Sequence, residues 1–229
     1  MSTMQHTKES VRTSRISPLV AWGLLGGGAF FFVGGSMHPG EDPPGLSVKE
    51  HLHLLFQDPA WYPSHALLLV GMVLIAAALV ALVRGGALAS VPRGQRVGAI
   101  AAVAAVLAAL DMLLHLVVAS EASSIAAGEA TPLTDVHVIA ETLTVPAFGF
   151  SIAVLGVIGA MTRTIGNRLI AVLAVVGGVT YGLAGGTFLF TDRLNVLFPG
   201  GAAIGLWAIA AGIWLLVRSR AMSPAATST

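Results

Sequence analysis

Long apolar stretches alternate with short polar ones along the whole chain, and the apolar stretches have similar lengths. A helix needs roughly 20 mainly apolar residues to cross the hydrocarbon core of a bilayer. Six segments meet this requirement: 17–37, 62–83, 97–119, 136–160, 168–190 and 198–217. They lack the alternating pattern of barrel strands, and backbone groups in lipid need partners within their own segment. The pattern therefore predicts an all-α membrane bundle with six transmembrane helices.

A shorter segment between the first two spans has a different pattern. The turn-rich HPGEDPPG is followed by SVKEHLHLLFQDP, in which Ser47 and Glu50 have the spacing of a capping box. Four apolar residues can then share one helix face: Val48, Leu52, Leu55 and Phe56. We expect an amphipathic helix over 48–57 at the outer membrane surface. Trp61 and Tyr62 are expected at the interface where the second span begins.

Composition agrees with a membrane protein and excludes several kinds of chemistry. Hydrophobic residues make up 55% of the 229 residues and charged residues only 10%, whereas about a quarter of a soluble domain is charged. The chain has no cysteine, which excludes disulfides and thiolate metal sites. Its basic residues are scattered over short connecting segments, so nucleic-acid binding is not expected.

The placement of the basic residues predicts an orientation. If the N-terminus is cytoplasmic, ten basic residues lie inside and only Lys49 and Arg193 lie outside. The ten inside are Lys8, Arg12, Arg15, Arg84, Arg93, Arg96, Arg163, Arg168, Arg218 and Arg220. This asymmetry predicts cytoplasmic tails over 1–16 and 221–229, on either side of one transmembrane domain over 17–220. Because Ala, Gly, Val and Arg dominate over Lys and Asn, we expect a bacterial inner membrane.

Small residues recur at helical spacing and predict close helix packing. Gly178, Gly182 and Gly186 share one face of the fifth span. Similar pairs occur in the first and last spans: Gly23 with Gly27, and Gly201 with Gly205. Such faces allow contact within the bundle, which short connections favour, or association into a homo-oligomer.

Ionisable residues gather at one depth of the predicted outer leaflet. They come from the second, third and fourth spans: His65, Asp111, His115, His137 and Glu141. Asp111 precedes His115 by four residues, and His137 precedes Glu141 by four, so each acid shares a helix face with a histidine. A charge inside the membrane costs at least ~2.5–3.5 kcal/mol and is expected to face a partner in the bundle interior.

This residue set predicts a divalent metal site with the same five residues as candidate ligands. Neutral imidazole and carboxylate suit zinc, iron, copper or manganese. An open coordination position would hold water for a metal-dependent enzyme. Either carboxylate could instead orient a ligating histidine.

Three alternatives remain open at this stage. Two histidines on facing helices could bind haem b in an electron-transfer protein. The cluster could form a proton or ion path. It could also be a polar clamp between helices in a non-catalytic membrane subunit. His38, His51 and His53 lie on the same predicted side but are weaker candidates, and Pro146 is expected to kink the fourth span.

Overall fold

The computed structural model describes residues 16–39, 45–191 and 193–221. Within these ranges every regular element is a helix. The α-helices are α1 (Pro18–Ser36), α2 (Val48–Gln57), α3 (Trp61–Arg84), α4 (Gly94–Val118), α5 (Ala122–Ala127), α6 (Pro132–Met161), α7 (Arg168–Thr187) and α8 (Ala202–Ala221). Two 3-10 segments, Ala119–Glu121 and Asn195–Gly201, precede α5 and α8. Nearly all of the predicted tails lies outside the described residues.

Six of these helices are long and apolar enough to cross a membrane, which confirms the predicted class. They are α1, α3, α4, α6, α7 and α8. The largest difference from the predicted bounds is at α8, where residues 195–201 form a 3-10 segment that contains Pro199. Proline lacks the backbone N–H that an α-helix interior needs. Pro146, by contrast, lies within the continuous α6.

The six long helices form a closed ring. Along the ring, α1 packs against α3, α3 against α4, α4 against α6, α6 against α7, and α7 against α8. The ring closes because α8 also packs against α1. Neighbours in the ring are therefore mostly neighbours in sequence, and the first and last long helices share a seam.

Glycine faces allow the closest contacts in this ring. Gly149 on α6 faces Gly178 on α7, and a Cβ added to either would overlap the carbonyl oxygen of the other. At the seam, a Cβ on Gly28 would lie 2.5 Å from the Gly205 carbonyl oxygen. The small-residue faces at Gly178 and Gly205 are therefore occupied by contacts within the chain.

The short helix α2 closes one end of the ring, which we call the capped end. Its predicted capping box is present: the Ser47 side chain accepts from the Glu50 amide, and Glu50 accepts from the Ser47 amide. Leu52 and Leu55 are buried in a cluster that also contains Trp61, Val138 and Phe188. The apolar face of α2 is therefore covered by the bundle.

Candidate metal centre at the capped end

The five predicted site residues lie together beneath α2. His65 comes from α3, Asp111 and His115 from α4, and His137 and Glu141 from α6. The first four are buried, and the side chain of Glu141 is 15% exposed. The four-residue spacings place both residues of α4, and both residues of α6, towards the same interior space.

His137 is the centre of this group. Its Nδ1 lies 3.0 Å from Oδ1 of Asp111. Its Nε2 lies 3.4 Å from Oε2 of Glu141 and also contacts Nδ1 of His115. Because an ionised carboxylate only accepts hydrogen bonds, Asp111 favours the proton on Nδ1 and leaves the Nε2 lone pair facing His115 and Glu141.

Thr144 also belongs to the site, although it is not among the five predicted residues. Its hydroxyl donates a hydrogen bond of 2.9 Å to Oδ2 of Asp111. Both oxygens of this buried carboxylate therefore have partners, as a buried charge requires. A signal was present in the sequence, because Thr144 follows His137 by seven residues and Glu141 by three, on one helix face.

His65 joins the group through ring packing. Its Nδ1 donates to the Trp61 carbonyl oxygen at 2.7 Å. Its ring centroid lies 3.7 Å from that of Trp61 and 4.9 Å from that of His115. Since Nδ1 carries the proton, Nε2 is the nitrogen of His65 that a metal ion would bind.

Trp61 is buried within the protein, whereas the adjacent Tyr62 is 58% exposed, so of the two residues expected at the membrane interface only Tyr62 presents a surface. The Trp61 ring packs against Phe56 of α2 as well as His65 and His115. Its Nε1 is buried without a hydrogen-bond partner in the described part of the chain. The folding of α2 over the bundle explains this burial, and sequence spacing does not reveal that contact.

The three weaker histidine candidates lie around the edge of the site. His38 is exposed, and its ring centroid lies 4.8 Å from that of His65. His51 packs edge-on against Phe188, and burial lowers the pKa of His51, with a further lowering from the charge of His38. His53 contacts Gln57 through Nε2 at 2.6 Å, on the same helix.

The side chains as they stand do not enclose an ion. Within the described ranges, no group of three or more His, Asp and Glu residues is placed so that it could hold a metal ion. The donor atoms instead meet in pairs that share His137. In this structure the group is therefore a hydrogen-bonded network centred on His137.

Comparison of the chain with protein-family models, curated proteins and solved structures finds no match in any of the three. The fold itself defines the class: a polytopic α-helical integral membrane protein. The polar cluster at the capped end is the feature of this membrane protein from which we propose a function.

Proposed function

We propose that this protein binds a divalent metal ion at the capped end. His115, His137 and Glu141 are the ligands, and Asp111 orients His137. The proposal depends on one observation: Nε2 of His137 lies beside Nδ1 of His115 and Oε2 of Glu141, while its Nδ1 is bonded to Asp111.

The pairing of Asp111 with His137 supports this assignment. A metal-binding histidine almost always donates its other ring N–H to a carboxylate, carbonyl or water. Here that donor is Nδ1 and the acceptor is Oδ1 of Asp111. Oδ2 of the same carboxylate accepts a hydrogen bond from Thr144, so both carboxylate oxygens are in use and Asp111 keeps the His137 ring in its orientation.

The spacing of the other donors also suits a small ion. Ligands at 2.0–2.2 Å around a tetrahedral zinc ion are about 3.3 Å apart. His137 Nε2 and Glu141 Oε2 are 3.4 Å apart. His115 approaches His137 more closely than this and would move back to admit the ion. His65 Nε2, on the ring beside His115, is the candidate for a fourth ligand.

The donor set limits the choice of ion. Imidazole and carboxylate suit zinc, iron, copper or manganese. If His65 does not bind, water occupies the open position, and the ion can lower the pKa of that water for a hydrolytic reaction. Because most basic residues lie on the other side of the membrane, we expect the capped end to face outward from a bacterial inner membrane.

Ring packing favours a small ion over haem b. The centroid of His115 lies 4.3 Å from that of His137 and 4.9 Å from that of His65. A porphyrin between two axial imidazoles would have to separate rings that are packed together.

A polar clamp is the second candidate function. The hydrogen bonds of His137 and Thr144 to Asp111 join α6 to α4 without an ion. Interhelical hydrogen bonds in membranes contribute about 0.6 kcal/mol on average. This is small beside the cost of placing charged groups in the membrane, roughly 2.5–3.5 kcal/mol each on insertion scales, and that difference favours the metal site.

Elemental analysis distinguishes the two functions. The untagged protein is purified in detergent, and its metal content is measured in the isolated protein. The measurement is repeated after each divalent ion has been added and the excess removed. We expect near-stoichiometric metal in the wild-type protein. The His115→Ala and His137→Ala variants should lose this metal, and the control variant His53→Ala should keep it. If iron is found, the optical spectrum separates haem from non-haem iron. Absence of metal in every condition would leave the polar clamp, and unchanged metal in His115→Ala would exclude this ligand set.

A further inference from the structure

We propose that His38, Asp58 and His65 form the route by which the metal ion reaches its site. This inference rests on the proposed function, and it assigns roles to residues that the ligand set does not require. The cover of the capped end is apolar, whereas a line of imidazole rings lies at its edge.

The cover itself is unsuited to passage of an ion. Leu52 and Leu55 of α2 are buried against Trp61, Val138 and Phe188. A cation that crosses such a layer loses its hydration, and the apolar side chains offer no polar atoms to replace the lost water. Entry therefore requires polar groups that replace water in steps.

A line of rings provides these steps at the edge of the cover. His38 at the end of α1 is exposed, and its ring centroid lies 4.8 Å from that of the buried His65. The His65 centroid lies 4.9 Å from that of His115. Three imidazoles thus lie in a line from the surface to a proposed ligand.

Hydrogen bonds of Nδ1 leave Nε2 of His38 and of His65 free to bind a cation. Nδ1 of His38 donates to the Pro39 carbonyl oxygen at 2.8 Å, and Nδ1 of His65 donates to the Trp61 carbonyl oxygen at 2.7 Å. A carbonyl oxygen only accepts, so the proton is fixed on Nδ1 and the lone pair is on Nε2. Both rings therefore present the nitrogen that binds a metal.

Asp58 supplies a negative charge at the mouth of this route. It ends α2, and its Oδ1 accepts a hydrogen bond of 2.7 Å from the Ala60 amide at the start of α3. Burial lowers the pKa of His38, and the charge of Asp58 opposes part of that lowering. A negative group at an entrance raises the local concentration of cations and their association rate.

A route residue and a ligand differ in kinetics. Removing a ligand weakens the bound state and raises Kd. Removing a residue of the route raises one barrier that is crossed in both directions, so the association and dissociation rate constants fall by the same factor and Kd is unchanged.

Stopped-flow measurements with Co²⁺ alone provide the test, because bound cobalt is seen by its visible absorption. The full-length protein is used in detergent, with release followed after mixing with excess chelator. We expect His38→Ala to lower both rate constants about tenfold, equivalent to about 1.4 kcal/mol in the barrier. Asp58 attracts cations and is not itself a step in the line of rings, so Asp58→Asn should lower the association rate constant, most strongly at low salt. The Asn side-chain oxygen can still accept the hydrogen bond from the Ala60 amide. His53→Ala is the control and should match wild type.

The outcomes separate failure of the route from failure of the proposed function. If wild-type protein binds no cobalt or other divalent ion, the proposed function fails and the route fails with it. If wild type binds and His38→Ala has unchanged rate constants, the route alone is overturned. A raised Kd in His38→Ala would make His38 a ligand and would also overturn the route.

Discussion

Asp111 and His137 are joined by a hydrogen bond of 3.0 Å between Oδ1 and Nδ1, which links α4 to α6 in the buried interior of the bundle. The side chains are only 7% and 2% exposed, respectively. The other oxygen of Asp111 accepts from Thr144. The two carboxylates of the site therefore differ in their contacts: Asp111 holds the His137 ring, and Glu141 is the one that the proposed function assigns to the ion.

Replacing Asp111 with Asn tests this difference. The neutral amide can still accept a hydrogen bond, but it makes His137 a weaker base. We expect a 10–100-fold lower metal affinity, the usual effect of removing such a partner, with full occupancy at saturation. A competition titration against a chelator measures it. The control Asp135→Asn changes an exposed acid paired with Lys49 and should have wild-type affinity. Complete loss of metal in Asp111→Asn would instead identify Asp111 as a ligand.

Leu52→Ala should loosen α2. Leu52 is buried against the bundle, and truncation of a buried leucine typically costs 2–5 kcal/mol, which here opposes docking of α2. Hydrogen exchange followed by mass spectrometry should show faster exchange in α2, with α3 unchanged. Leu54→Ala is the matched control, since Leu54 lies on the same helix and is 41% exposed. Equal exchange in the two variants would mean that α2 is not held by its buried face.

The capping box predicts a pH dependence for α2. Hydrogen bonds from the Ser47 hydroxyl and the Ser47 backbone amide lower the pKa of Glu50. The folded helix therefore favours the carboxylate: this contribution is present above the ordinary pKa of Glu and is lost as pH falls through the lowered pKa. After correction for intrinsic rates, α2 amides should exchange faster in that acidic range. Ser47→Ala should remove most of this pH dependence, and an unchanged profile would contradict the assignment.

Gly149→Ala should destabilise the bundle. An added methyl group would overlap the Gly178 carbonyl oxygen, so α6 and α7 would have to move apart. Overpacking of this kind typically costs about 1–3 kcal/mol. Thermal unfolding in detergent should give a lower Tm. Gly35→Ala is the control, because a Cβ there meets nothing within 4 Å, and it should leave Tm unchanged or slightly raised. Equal Tm values for the two variants would refute the close contact.

The spans and the site were predictable for different reasons. Lipid allows few backbone structures, so hydropathy alone located the six long helices. His115 and His137 were found because each has an acid four residues away, which fixes a common helix face. The burial of Trp61 could not be predicted, since it depends on where α2 folds. The order of the helices around the ring could not be predicted either, because glycine spacing indicates close packing but does not identify the helix that packs against the glycine face.

The seam between α1 and α8 has a consequence for biosynthesis. A ribosome delivers α1 before the other long helices and α8 after them, so the face of α1 around Gly28 has no partner until α8 has been inserted. The helices that supply the polar cluster, α3, α4 and α6, all enter the membrane earlier. The three helices of the polar cluster can therefore meet while the ring is still an open arc, and only insertion of α8 closes that arc.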